Sequence, residues 1–307
     1  MQHFINLADH SAADIQHLLA VATELKSAWH SEGNAPYLRG QTLAMLFMKP
    51  SLRTRVSFAV AMQHLGGAAL YLGPEEVGLG AREAIPDVAR VLGGYVQGIM
   101  ARVFAHEHIT QLARHSPVPV INGLSDYNHP CQALADILTI QEAFGTLEGV
   151  RVAYVGDGNN VARSLLFITN LLGMPFAVAS PPGYQLDAAD LQTAAQLRPD
   201  GAPAPQLGDD PAEAVRDAAV IYTDTWTSMG QEAEAEARRA VFANYQVNAG
   251  LLAQADKDAV VLHCLPAHRG EEITDEVADG PQSRIFQQAA NRLHAQKAVL
   301  WQLLGQH

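Results

Sequence analysis

Five consecutive residues, Ser51-Leu52-Arg53-Thr54-Arg55, concentrate two hydroxyls and two guanidiniums directly ahead of an apolar run, Val56, Phe58, Val60, Met62 and Leu65, that ends at Gly66-Gly67. The run predicts a helix, so the hydroxyls and backbone N–H groups of residues 51–54 fall at its N-terminus, where a helix favours phosphate. The arginine forks match phosphate oxygens bidentately, whereas Lys49 just upstream offers only a point charge. Taken alone, the segment also fits a capped and solvated helix start.

Three further segments carry convergent polar groups. His129-Pro130-Cys131-Gln132 sets an imidazole and a primary amide at a helix entrance, where proline is tolerated because its missing N–H is not needed. Such a pair can donate to an oxygen and accept from an N–H, which suits a urea-like group; either residue could instead be an ordinary surface or core side chain. Asp224-Thr225-Trp226-Thr227-Ser228-Met229-Gly230 combines a carboxylate, hydroxyls and a glycine, as a loop closing on a cationic amino acid would, although an Asp there could simply cap a helix. His263-Cys264-Leu265-Pro266 raises the question of a nucleophilic thiol, but no base that would activate it is evident, and buried cysteines are usually inert.

Gly156-Asp157-Gly158-Asn159-Asn160 superficially suggests a dinucleotide site. The third glycine of that fingerprint is missing, Val161 standing in its place. What is left is a structural turn, or an amide of Asn159 or Asn160 reaching a ligand.

The elements that must position these groups repeat in order. Thr42–Phe47 reads as a buried strand that delivers Ser51 from its C-terminal end, where α/β folds bind ligands. Strand, loop and helix recur with strands at 68–72, 98–103 and 118–122, making one parallel-sheet domain after an opening helix capped by Ser11 and Asp14. A long helix through Gln132–Ile140 leads out of it, and a second series has strands at 151–155, 175–179, 220–224 and 259–263, with another strand near Gln206-Leu207. The expectation is an α/β chain of two domains, each a parallel β-sheet flanked by helices, joined by long helices. The first spans 1–147, with the C-terminal helix from about 284 to 307 packing back on it; the second spans 148–283.

Composition narrows the function classes. With 20 basic and 32 acidic residues the formal charge is −12, which disfavours nucleic acid or an anionic membrane as the main partner, so any anion site must be local. Two cysteines, Cys131 and Cys264, provide neither a disulfide framework nor a CxxC metal spacing, which fits a reducing cytoplasm. The first residues lack the pattern of a signal peptide, and no segment approaches the roughly 18 apolar residues of a membrane span.

Together these segments resemble the aspartate/ornithine carbamoyltransferase family, from the Leu7 region to about Arg292. Ser51–Arg55 is similar to its Ser-Thr-Arg-Thr-Arg carbamoyl phosphate loop, His129–Gln132 to its His-Pro-x-Gln motif, and Arg102 to the arginine closing its third strand. Asp224 with Ser228-Met229-Gly230, and His263-Cys264-Leu265-Pro266, resemble the ornithine branch rather than the aspartate branch.

The resemblance implies attack of the δ-amine of L-ornithine on carbamoyl phosphate, giving L-citrulline and phosphate without metal or cofactor. It implies that Ser51, Leu52 through its backbone, Arg53 and Thr54 hold the phosphate, and that Arg102 offsets charge on the leaving group and reaches the carbonyl oxygen. His129 would donate to that oxygen. Gln132, the Leu265 carbonyl and Arg292 would orient the carbamoyl group, and Asn160, Asp224, Ser228 and Met229 would bind ornithine with Cys264 beside its δ-nitrogen. Arg102, His129 and Cys264 are thus the implied catalytic residues.

Two departures stand out. Leu52 replaces the usual threonine, and Gly78 stands where some members carry a glutamine that reaches a neighbouring subunit's phosphate. Arg82 is the candidate replacement, across the interface of the homotrimer, or assembly of trimers, that the family implies. The alternatives are a carbamoyltransferase for N-acetylornithine or putrescine, and a non-catalytic scaffold paralogue.

Overall fold

The apolar run Thr42–Phe47 forms the first strand, β1, buried from Leu43 onward. In a computed structural model describing residues 1–228 and 230–305, it lies in the first of two units, Met1–Leu138 with Ala290–His307; the second is Thr139–Ala289. The division falls inside two long helices, and the sequence-based boundaries near 147 and 284 lie beside the ends of those same helices.

The first unit opens with α1 (Ala12–Ser31), whose Ser11 and Asp14 exchange cap hydrogen bonds at 2.9 and 3.2 Å. After β1 come α2 (Leu52–His64), β2 (Ala68–Leu72), α3 (Pro74–Val77), α4 (Ile85–Gly93), β3 (Gly98–Arg102), α5 (His106–His115), β4 (Val120–Leu124) and α6 (Pro130–Phe144). The four strands are parallel in the order β2-β1-β3-β4. Central β3 is buried along its whole length, as a strand covered on both faces must be. Ala44, Leu46, Ile99, Ala101, Ile109 and Leu112 belong to the core beneath α4 and α5.

Because β1 is followed in sequence by β2 on one side and by β3 on the other, the loops after β1 and β3 part at their C-terminal ends, where such sheets bind ligands. The register sets Phe47 opposite Arg102, and the Met48 N–H donates to the Arg102 carbonyl at 2.8 Å. Strand β4 starts two residues later than the sequence suggests. Pro119 has no N–H to give, although its carbonyl still accepts from the Ile99 N–H at 2.9 Å, and the N-terminal segment pairs along the outer edge of β4: Phe4 N–H donates to the Val120 carbonyl at 2.9 Å, and Asn122 N–H to the Phe4 carbonyl at 2.8 Å.

The second unit follows the same logic with β5 (Val152–Val155), α7 (Asn160–Leu171), β6 (Phe176–Ala179), α8 (Ala188–Leu197), β7 (Gln206–Gly208), α9 (Pro211–Val215), β8 (Val220–Thr223), α10 (Ala235–Phe242), α11 (Ala249–Leu252), β9 (Val260–His263), α12 (Asp275–Ala278) and α13 (Ile285–Leu304). Its parallel order, β7-β6-β5-β8-β9, reverses between β5 and β8. The loops beginning at Gly156 and Asp224 therefore flank that point. Trp226, Phe242 and Tyr245 pack with Val155, Ile221 and Val261 beneath them.

Candidate active site

In the first unit, Ser51 caps α2 by accepting from the Thr54 N–H at 3.3 Å, which satisfies one of the donors a helix start leaves open. Thr54 is fully buried, and its Oγ1 accepts from Arg292 Nη2 at 2.8 Å and Arg102 Nη1 at 3.4 Å. One hydroxyl thus aligns guanidiniums from α13 and β3 beside the helix start. Leu52 gives this turn a backbone N–H only; its side chain is 75% exposed. The Arg55 guanidinium lies over the Tyr71 ring, 3.9 Å from its centroid.

His129 is buried at the start of α6, where its carbonyl accepts from the Gln132 and Ala133 N–H groups at 3.1 and 3.2 Å. Burial, and then the positive charges of Arg292, Arg102 and Arg53, push its pKa well below the ordinary histidine value. At neutral pH it is a neutral imidazole among three arginines, able to donate one N–H without adding charge. Gln132, 1% exposed, spends its Nε2 on Asp136 at 2.8 Å, and its buried Oε1 has no hydrogen-bond partner among the described residues. Such an orphaned acceptor costs about 1–3 kcal/mol, which a ligand N–H would recover. Cys131 between them is inert: burial pushes its thiol up to about 12, and Sγ donates to the Asn122 carbonyl at 3.5 Å.

Arg82 does not stand with this group. Its exposed guanidinium folds onto the carbonyls of Glu75 and Glu76 at 3.4 and 2.5 Å, both within the short helix α3.

In the second unit, Asp224 immediately follows β8 and is 5% exposed. Its Oδ2 accepts from Asn159 Nδ2 at 2.8 Å and its Oδ1 from the Cys264 thiol at 2.9 Å. Loops after β5, β8 and β9 thereby converge on one carboxylate. Asn160 is the first residue of α7, and its carbonyl accepts from Ser164 Oγ at 2.6 Å. Ser228 N–H donates to Gln231 Oε1 at 3.1 Å, and Met229 lies outside the described residues. Leu265 belongs to this unit rather than to the first. It holds φ at 58°, a left-handed conformation that costs a leucine about 1–3 kcal/mol, and its N–H donates to His263 Nδ1 at 2.8 Å.

The two glycines of the Gly156–Asn160 turn serve structure: Gly156 holds φ at 144°, and Gly158 serves packing. A Cβ on Gly158 would lie 2.6 Å from the backbone of Gln185 and 2.7 Å from that of Leu186, so only glycine fits. Arg238 on α10 braces the same region, donating to Asp157 Oδ2 at 2.8 Å and to the Trp226 carbonyl at 2.9 Å. Burial raises the Asp157 carboxyl above its ordinary value despite that guanidinium. Asp224, His263 and Cys264 offer ligand atoms within 4.8 Å of one another, but their hydrogen bonds already engage them, His263 using Nδ1 for Leu265 and Nε2 for Glu272 at 3.0 Å.

Sequence reasoning did not single out Asp136 or Arg238. Asp136 had a signal, since it follows Gln132 by one helical turn; Arg238 had none.

The carbamoyl-P binding domain model of the aspartate/ornithine carbamoyltransferases matches residues 2–142, and their Asp/Orn binding domain model matches residues 148–303. An ornithine carbamoyltransferase of Anoxybacillus flavithermus is 53% identical over 98% of this chain and 96% of its own length. One of Pyrococcus furiosus, described as anabolic, is 54% identical over 97% and 95%. The solved structure of ornithine carbamoyltransferase from Pyrococcus furiosus superposes with a TM-score of 0.96 at 52% identity, covering 99% of this chain and 97% of that one.

Proposed function

The chain belongs to the aspartate/ornithine carbamoyltransferase family, and from that premise we propose that it transfers the carbamoyl group of carbamoyl phosphate to the δ-amine of L-ornithine, giving L-citrulline and phosphate. The observation that carries this reading is the pairing of a neutral, buried His129 with the open Gln132 Oε1 beside Arg102 and Arg292. A carbamoyl phosphate needs a donor at its carbonyl oxygen, an acceptor at its NH2 group and positive charge at its phosphate.

In this reading the α2 start, with Ser51, the Leu52 N–H, Arg53 and Thr54, holds the phosphate. Arg102 faces the bridging region, and His129 and Arg102 receive the charge that develops on the carbonyl oxygen, where one well-placed donor is worth roughly 3 kcal/mol. Gln132 and the Leu265 carbonyl take the NH2 group, with Arg292 orienting it. Asn160, Asp224, Ser228 and Met229 hold ornithine, and Cys264 lies by its δ-nitrogen.

The amine attacks only when neutral, although its free pKa of about 10 keeps it protonated at pH 7. Asp224 favours an ammonium and so orients the substrate; nearby positive charge favours the neutral δ-amine. The new C–N bond forms as the C–O bond to phosphate breaks, and the departing phosphate takes the proton.

The chain works as a homotrimer, or an assembly of trimers, in the cytoplasm. Support for self-association comes from apolar side chains exposed on α2 and the edge strand β2: Leu52 at 75%, Val56 at 50% and Leu70 at 51%. No helix among the described residues is long and apolar enough to cross a membrane. The function is tested by offering purified protein L-ornithine, N-acetylornithine and putrescine in turn with carbamoyl phosphate. Ornithine should be carbamoylated fastest; preference for either other amine, or no product with any, would refute the assignment.

A further inference from the structure

Asn159 joins a helix cap to the carboxylate of Asp224. Its Oδ1 accepts from the Val161 and Ala162 N–H groups at 2.9 and 3.1 Å, and from the Tyr154 hydroxyl at 3.4 Å. An NH2 group cannot serve that end, so the α7 cap fixes which way round the amide sits. Its Nδ2 must then point away from the helix, and there it donates to Asp224 Oδ2 at 2.8 Å. With the Cys264 thiol on Oδ1 at 2.9 Å, both oxygens of the carboxylate are held from outside its own strand.

We propose that Asn159 is a positioning residue for the amino-acid substrate: it transmits the fixed orientation of the α7 cap to Asp224 and sets the plane in which that carboxylate meets a substrate ammonium. This rests on the assignment of Asp224 to ornithine. Capping alone does not require asparagine, since serine and aspartate cap about equally well. Asparagine puts the two roles on two atoms, accepting at the helix with Oδ1 while Nδ2 donates to the carboxylate, a span that the single oxygen of a serine does not bridge.

Asn159→Ser keeps the cap and takes away the Nδ2 group that reaches Asp224. The ornithine KM should rise about 10- to 100-fold, the loss expected for a hydrogen bond to a charged group, while binding of inorganic phosphate and the thermal midpoint stay near wild type. Asp224→Asn should raise the ornithine KM as well, and the double variant should be no worse than Asp224→Asn alone, because the two act through one contact. If Asp224→Asn leaves the ornithine KM unchanged, the assignment of Asp224 fails. If Asp224→Asn raises it and Asn159→Ser does not, the assignment stands and the positioning role is overturned. Equal losses of phosphate binding and ornithine affinity in Asn159→Ser would also overturn it, leaving a cap and nothing more.

Discussion

Replacing Thr54 with valine removes one hydroxyl while nearly preserving shape in a fully buried site. That hydroxyl is the shared acceptor of Arg292 at 2.8 Å and Arg102 at 3.4 Å. The first is a full charge-assisted hydrogen bond and the second is near the outer limit of one, so the loss is dominated by a single bond worth about 1.5–3 kcal/mol. If that energy holds the guanidiniums ready for the phosphate, kcat/KM for carbamoyl phosphate falls about 10- to 150-fold. The assay is the initial rate of citrulline formation with carbamoyl phosphate varied at saturating ornithine, with circular dichroism confirming the fold. Thr54→Ser, which restores the hydroxyl, should recover most of the loss. A Thr54→Val enzyme within about threefold of wild type, or a serine variant as impaired as the valine one, would refute the reasoning.

Three other outcomes follow from the same structure. His129 has a pKa below its ordinary 6.5, so the unfolded chain takes up a proton first as pH falls; stability present above about 6.5 is lost below it, and denaturant titrations should show a shallower acid loss in His129→Gln. Burial lowers Lys297 from 10.5 to about 8, so between those values the unfolded chain holds more protons and stability rises with pH; Lys297→Met should abolish that rise in thermal midpoint, and an unchanged slope would contradict it. Phe242, fully buried with its ring centroid 5.9 Å from that of Trp226, supports the loop after Asp224, so Phe242→Ala should lower unfolding free energy by about 3–5 kcal/mol and raise the ornithine KM, as chemical denaturation and initial rates will show.

Local rules carried the reading as far as local rules reach. The strand, turn and helix around Ser51 were legible because an apolar run, a capping residue and the Gly66-Gly67 stop are all close in sequence. The four-residue helix α3 was not, since it hides inside a segment rich in glycine. Thr54 and Arg292 are 238 residues apart, and Asp224 and Cys264 are 40 apart, so their hydrogen bonds depend on the sheet order rather than on any spacing. The roles of Asn159 and Asn160 differ by one step in where α7 begins, a boundary that a run of two asparagines leaves open. The left-handed Leu265 had no signal at all, because leucine has no preference for that conformation. A family resemblance supplied Arg292 and Leu265 as site candidates where the residues alone could not.

Carbon-13 NMR of purified protein with labelled carbamoyl phosphate and L-ornithine tests the central claim most directly. The label should move into the ureido carbon of citrulline, with one phosphate released per citrulline formed. Label appearing only in the products of uncatalysed carbamoyl phosphate breakdown, with no citrulline signal, would contradict the account.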